Sequence, residues 1–153
     1  MEQILVVDDS VDIRAYLGAV LKSAGYHVHE AANGSTVIEL LESNPVDLLV
    51  TDIVMPITDG IATIRDVKRL FPDIKIIATS GYYFYLQMAG KLGADRIFEK
   101  PFDAEKLLAA IRALLRTGRS DSPFVGARVA HAGRLNRRYS EDASAFHTTD
   151  AWK

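Results

Sequence analysis

Five side chains, scattered along the chain, have the types that phosphoryl chemistry requires. They are Asp8 and Asp9 in "ILVVDDS", Asp52 in "LLVTDIVMP", Ser80 in "KIIATSG" and Lys100 in "RIFEKP". Each lies at or just past the C-terminal end of a short apolar run. Two adjacent carboxylates repel each other, and a third nearby cannot stay ionised with them unless a cation offsets the repulsion. Oxygen donors without His or Cys suit a hard divalent ion, and a partly hydrated octahedral site suits Mg²⁺. A carboxylate beside such an ion can attack phosphorus. Lys100 and a hydroxyl, from Ser80 or its neighbour Thr79, would then offset charge on the transferring oxygens.

These residues converge only if the elements before them do. Short apolar runs occur at Ile4–Val7, Leu48–Val50, Ile74–Ala78 and around Ile97–Phe98, with a weaker one at His27–Ala31. Helical periodicity fills the gaps. Ile13, Leu17, Val20, Leu21 and Ala24 form one stripe that Gly25 stops. Val37, Leu40 and Leu41 form another before Pro45, and Ile64, Val67, Leu70 and Phe71 a third before Pro72. The last helix is the clearest, from Ala104 to Leu115 with Asp103 as its N-cap. A fourth, near Leu86–Leu92, reads weakly. Five strand–helix units predict an α/β fold: a doubly wound, five-stranded parallel sheet with five helices. The flavodoxin-like order 2-1-3-4-5, the commonest for this size, sets strands 1 and 3 side by side, with ligands beyond the carboxyl ends of the strands; alternation alone also allows the Rossmann-type order. Residues 1–117 form this unit. From Gly118 to Lys153 the pattern stops, and a disordered tail is expected.

Composition excludes several classes. With no cysteine among 153 residues, disulfides, thiolate metal sites and cysteine nucleophiles are out. A net charge of -2 gives no bulk pull towards nucleic acid or an anionic membrane. No apolar stretch approaches the roughly 18 residues of a membrane span, and "MEQILVVDDS" does not read as a signal peptide. A cytoplasmic protein is expected. The first strand–helix turn, "DDSVDIR", has no glycine, so neither a P-loop nor a dinucleotide fingerprint is present. His27, His29, His131 and His147 show no ligand spacing and receive no role.

Together, "VVDDS", "LLVTDIVMPITDG", "IIATS" and "FEKPF" resemble the receiver domain of two-component response regulators over residues 1–117. The resemblance implies that Asp52 accepts a phosphoryl group from a phosphohistidine on a sensor histidine kinase or histidine phosphotransfer protein. It implies Mg²⁺ held by Asp9, Asp52 and the Val54 carbonyl, with Asp8 acting directly or through water. Ser80, favoured over Thr79 by the alignment of motifs, and Lys100 would contact the phosphoryl oxygens. The Lys100–Pro101 bond is a candidate for cis. In many receivers an aromatic residue three before the strand-5 lysine switches with Ser80's counterpart; here that position is Ile97. Val54 and Tyr82 flank the approach of hydrolytic water without a carboxylate or amide, which predicts a long-lived aspartyl phosphate.

The expectation is a stand-alone receiver acting through a downstream protein or a relay, not an enzyme on outside substrates. No helix-turn-helix pattern follows residue 117, so direct DNA binding is not expected. Two rivals are a Mg²⁺-dependent phosphohydrolase with an aspartyl-phosphate intermediate and a binding scaffold that is never phosphorylated. Tyr82, Tyr83, Phe84 and Tyr85 form an aromatic run just past the fourth strand. Some of these rings are expected to pack under the fourth helix and at least one to be exposed, as a partner or homodimer surface. The tail's "RLNRRY" is a small basic cluster read as solvated.

Overall fold

The computed structural model describes residues 1–117. The expected tail and its "RLNRRY" cluster lie outside the described residues. Within them the elements alternate as β1 (Gln3–Val7), α1 (Val11–Ser23), β2 (His27–Ala31), α2 (Val37–Ser43), β3 (Leu48–Asp52), α3 (Gly60–Leu70), β4 (Lys75–Ser80), α4 (Tyr83–Lys91), β5 (Arg96–Glu99) and α5 (Ala104–Thr117). A single 3-10 turn, Gly34–Thr36, leads into α2. All strand pairs are parallel, in the order β2-β1-β3-β4-β5. This is the flavodoxin-like order that the alternating pattern predicts.

Strand alternation divides the core in two. Leu5, Val7, Leu49, Ile76 and Ala78 face α2, α3 and α4, where they meet Val37, Leu41, Ile64, Val67, Leu86 and Ala89. On the other face Ile4, Val6, Leu48, Val50 and Ile77 meet Leu17 and Leu21 of α1 and the Leu107–Leu114 stripe of α5. The inner strands β1, β3 and β4 are therefore buried on both sides, which is why they read as continuous apolar runs. Edge strand β2 is exposed or half-buried up to Ala31, and reads weakly for that reason.

Local signals set the boundaries. Ser10 caps α1, its Oγ accepting from Ile13 N–H at 3.4 Å, and Gly25 ends the turn with φ of 91°. Asp103 Oδ1 accepts from Glu105 N–H at 2.8 Å at the start of α5. Helix α4 starts three residues earlier than its apolar pattern suggests, with no side-chain cap at Tyr82. At the opposite, amino-terminal edge of the sheet, Lys68 braces the start of β4 and β5. Its Nζ lies 3.0 Å from Asp95 Oδ2, which also accepts from Ile76 N–H at 2.8 Å.

The loop from β3 to α3 holds the one non-glycine residue with positive φ among those described. Ile57, at φ of 75°, is the middle of a γ-turn closed by Thr58 N–H on Pro56 C=O at 2.9 Å. That turn is strained for any L-residue and worse for a β-branched one. The side chain is 93% exposed, so no packing offsets the strain. Ile57→Gly is therefore expected to stabilise the fold. Relief of about 1–3 kcal/mol of strain outweighs the ~0.5–1 kcal/mol that glycine adds to unfolded-chain entropy. Urea unfolding should give a higher midpoint at unchanged slope.

Candidate functional site

Sheet register assembles the site. Val7 pairs with Thr51, so Asp8 and Asp52 are the next residues on adjacent strands. Neighbouring strands run about 4.8 Å apart. Asp9 follows on the turn into α1. One carboxylate oxygen from each of Asp8, Asp9 and Asp52 lies within 4.8 Å of the other two. Ser80 pairs with Glu99 at the top of β4, and the next residue after Glu99 is Lys100. Asp8, Asp9, Asp52 and Lys100 thus meet at the carboxyl edge of the sheet, where Ser80 ends the adjoining strand β4.

Charge dominates this edge. Asp8 and Asp52 are buried, at 2% and 5% exposure, while Asp9 is open to solvent. Lys100 Nζ reaches Asp8 Oδ2 at 2.7 Å and Asp52 Oδ1 at 3.4 Å. One ammonium against three carboxylates leaves an excess of two negative charges, the charge of one divalent cation. Burial pushes the Asp52 carboxyl above the usual aspartate range; Lys100 opposes that shift and Asp8 reinforces it. The donors are all oxygen, closely grouped and partly open to water, so they fit Mg²⁺.

The surroundings hold these groups in place. Asp8 Oδ1 accepts from Ser10 N–H at 2.9 Å, while Ser10 itself caps α1, so the acids are not needed as caps. Asp52 Oδ1 accepts from Ile53 N–H at 2.9 Å. Gly60 lets α3 start against the chain just past Asp52. A Cβ there would lie 2.6 Å from the Asp52 carbonyl oxygen and from Ile53 Cα. The bond between Lys100 and Pro101 is cis, and Lys100 N–H donates to Ser80 C=O at 2.8 Å. Sequence reasoning missed Arg14, whose guanidinium donates to the carbonyls of Asp8 at 2.6 Å and Asp9 at 3.2 Å. Only its position in the second turn of α1, five residues after the acid pair, signalled it.

Ser80 is fully buried, and its Oγ accepts from Tyr82 N–H at 3.1 Å. Thr79 points to the opposite face, towards Thr51 C=O at 3.4 Å. Val54 lies two residues past Asp52, partly exposed, in an antiparallel bridge with Asp59. Ile97 pairs with Ala78 and is also partly exposed. One expectation needs correction. None of Tyr82, Tyr83, Phe84 and Tyr85 is buried beneath α4; all are exposed, from 40% at Tyr85 to 68% at Phe84. Leu86 and Ala89 alone fill the buried face of that short helix, so the rings before them stack on each other instead.

Comparison with known proteins agrees with this geometry. A family model described as the response regulator receiver domain matches residues 4–112. The chain belongs to the response regulator receiver family. The response regulator receiver protein CpdR of Brucella abortus is 36% identical, covering 75% of this chain and 98% of that protein. Sporulation initiation phosphotransferase F of Bacillus subtilis is 33% identical over 74% of this chain and 94% of its own length. Among solved structures, the response regulator protein TrrA of Thermotoga maritima, in complex with Mg²⁺ and BeF, has a TM-score of 0.69 and 31% identity. That match covers 74% of this receiver and 99% of TrrA. Receivers are signalling switches of two-component systems. No described helix of this one is long and apolar enough to cross a membrane.

The charge excess has a thermodynamic consequence. Because its carboxyl is held above the usual range, folded Asp52 binds a proton more tightly than the unfolded chain does, so ionising it costs stability. The cost is absent below about 3.8, the ordinary aspartate value, and is complete above the raised one. Without divalent ions, Asp52→Asn should therefore melt higher than wild type at neutral pH, with the gap closing as pH falls towards that value. Added MgCl₂ should reverse the order. It should stabilise wild type by about 1.4 kcal/mol per tenfold excess over Kd and Asp52→Asn by less. Thermal melts across pH and MgCl₂ check both signs.

Proposed function

We propose that this receiver accepts a phosphoryl group onto Asp52 from a phosphohistidine on a sensor kinase or phosphotransfer protein, and signals through protein partners. The observation that carries this reading is Lys100 bridging Asp8 and Asp52 beside a third acid, an arrangement with no structural need for three carboxylates. Asp52 Oδ1 is engaged by Ile53 N–H and Lys100, which leaves Oδ2 as the attacking oxygen. It forms a bond to phosphorus as the P–N bond breaks, and the electron pair returns to the donor imidazole. Lys100, already within reach of Asp52, offsets charge on the phosphoryl oxygens, and Ser80 Oγ donates to one of them. Asp8, Asp9, Asp52 and the Val54 carbonyl would hold Mg²⁺, which when bound neutralises the remaining acid charge and that of the incoming phosphoryl group.

Readout follows from Ser80. Its Oγ is hydrogen-bonded to the backbone of Tyr82, the residue that opens α4. A hydroxyl drawn towards a phosphoryl group pulls on that helix end, so the exposed aromatic turn changes along with the site. Ile97 on β5 has no ring to swing, which supports α4 as the moving element.

Incubation with MgCl₂ and acetyl phosphate, followed by intact-mass measurement, tests the proposal. A single phosphoryl adduct is expected on wild type and absent from Asp52→Ala. Lys100→Ala should slow its formation by about 100-fold, the usual scale for one charge-stabilising group. Val54 and Tyr82 offer no carboxylate or amide to orient water, so the adduct should persist for minutes or longer after acetyl phosphate is removed. Turnover of phosphate esters without an adduct would instead favour a hydrolase. No adduct at all would leave a scaffold.

A further inference from the structure

The three acids are not held alike. Asp8 is fixed through its carboxylate by Ser10 N–H at 2.9 Å and Lys100 Nζ at 2.7 Å. Asp52 is fixed by Ile53 N–H at 2.9 Å and Lys100 Nζ at 3.4 Å. Asp9 is exposed, and among the described residues no hydrogen bond or ion pair holds its carboxylate. Its place within 4.8 Å of the other two is therefore set by its backbone. Arg14 grips that backbone. One guanidinium nitrogen, Nη1, donates to the carbonyls of Asp8 at 2.6 Å and Asp9 at 3.2 Å. The peptide unit between Asp9 and Ser10 is pinned at both ends, its C=O by Arg14 and its N–H by the Asp8 carboxylate. Behind it, Asp8 N–H donates to Ala31 C=O at 3.2 Å and ties the turn to β2. Arg14 is half-buried, and its own N–H donates to Ser10 C=O at 3.1 Å, so the first turn of α1 carries the grip.

Charge and position make opposite demands on this residue. A guanidinium beside an acid cluster repels a cation, so on charge alone Arg14 weakens metal binding. What it supplies instead is a fixed Asp9. Mg²⁺ demands near-ideal octahedral geometry at about 2.0–2.1 Å, whereas Ca²⁺ accepts looser ligand sets at about 2.3–2.6 Å. A ligand anchored through its backbone suits the first ion, and one free to swing suits the second. Resting on the Mg²⁺-dependent phospho-acceptor reading above, we infer that Arg14 is a positioning residue that sets Asp9 for a small octahedral cation and so makes the site select Mg²⁺ over Ca²⁺. Arg14 acts through the acid loop and touches neither the ion nor the phosphoryl group.

Amide chemical-shift titrations of the full chain with MgCl₂ and with CaCl₂, at constant ionic strength, test this. Arg14→Met removes the charge and both hydrogen bonds while keeping a good helix former. It should weaken Mg²⁺ binding by about tenfold, the lower end of the range for a residue that orients a metal ligand, and Ca²⁺ binding by less. Arg14→Lys keeps the charge but loses the planar fork, and should lower the preference for Mg²⁺ by a smaller factor. Should Arg14→Met fail to fold, the Arg14→Lys preference decides. Because Arg14 works through Asp9, adding Arg14→Met to Asp9→Asn should change Mg²⁺ affinity far less than adding it to wild type. Tighter binding of both ions in Arg14→Met shows charge alone at work and overturns the inference. So does an equal loss for the two ions, or a full loss that persists in the Asp9→Asn background. A wild type that binds Mg²⁺ with a preference the Arg14 variants leave unchanged overturns this inference alone. A wild type in which neither ion shifts the acid-loop amides overturns the metal site proposed above and this inference with it.

Discussion

An excess of negative charge at the buried end of a parallel sheet is the constraint on which the rest of the structure turns. Asp8 and Asp52 sit at the ends of neighbouring strands with almost no solvent, and among the described residues Lys100 is the one cation that bridges them. Burying ions costs several kcal/mol each unless partners compensate. Here compensation is partial. Backbone N–H groups of Ser10 and Ile53 and the Lys100 ammonium satisfy the two buried acids, yet the group stays two charges short of neutrality. A site left in that condition is poised to take up a divalent ion and, with it, an anionic ligand.

The fold supplies the rigidity this requires. Because β1, β3 and β4 are packed on both faces, their carboxyl ends cannot drift, and parallel register fixes which residues become neighbours. The contrast with the loops above is informative. Strain at Ile57 falls in the loop that follows Asp52, and the uncapped start of α4 with its four exposed aromatic rings follows Ser80. Stability is concentrated in the sheet, and these unfavourable features are confined to the exposed surface beyond its carboxyl edge. Such a division is expected where a rigid scaffold carries adaptable binding loops.

Membership of the receiver family rests on four motifs in order, but individual features of this chain qualify the general pattern. Isoleucine replaces an aromatic at position 97, and the ring-bearing surface lies instead on the first turn of α4. The hydrogen bond between Ser80 Oγ and Tyr82 N–H gives that turn a direct link to the C-terminal end of β4. Ser80 and the residue that precedes α4 are thereby two positions apart along the backbone and joined by one hydrogen bond.

Much of this was legible in the linear chain, for physical reasons that can be named. Doubly buried strands must be apolar throughout, so β1, β3 and β4 announced themselves; Gly25, Pro45, Pro72 and Asp103 marked boundaries because backbone geometry leaves few alternatives there. Acids and a lysine at strand ends named the site, since such residues have no place in a core without function. What the one-dimensional pattern could not carry was anything set by packing across the sheet. The start of α4 and the exposure of all four aromatics depend on Leu86 and Ala89 filling the available room. The grip of Arg14 on the acid loop, the need for glycine at position 60 and the strain at Ile57 arise only when β3, α1 and α3 are brought together. Residue types decided which chemistry was available. Close approach of backbones in three dimensions decided how those residues are held.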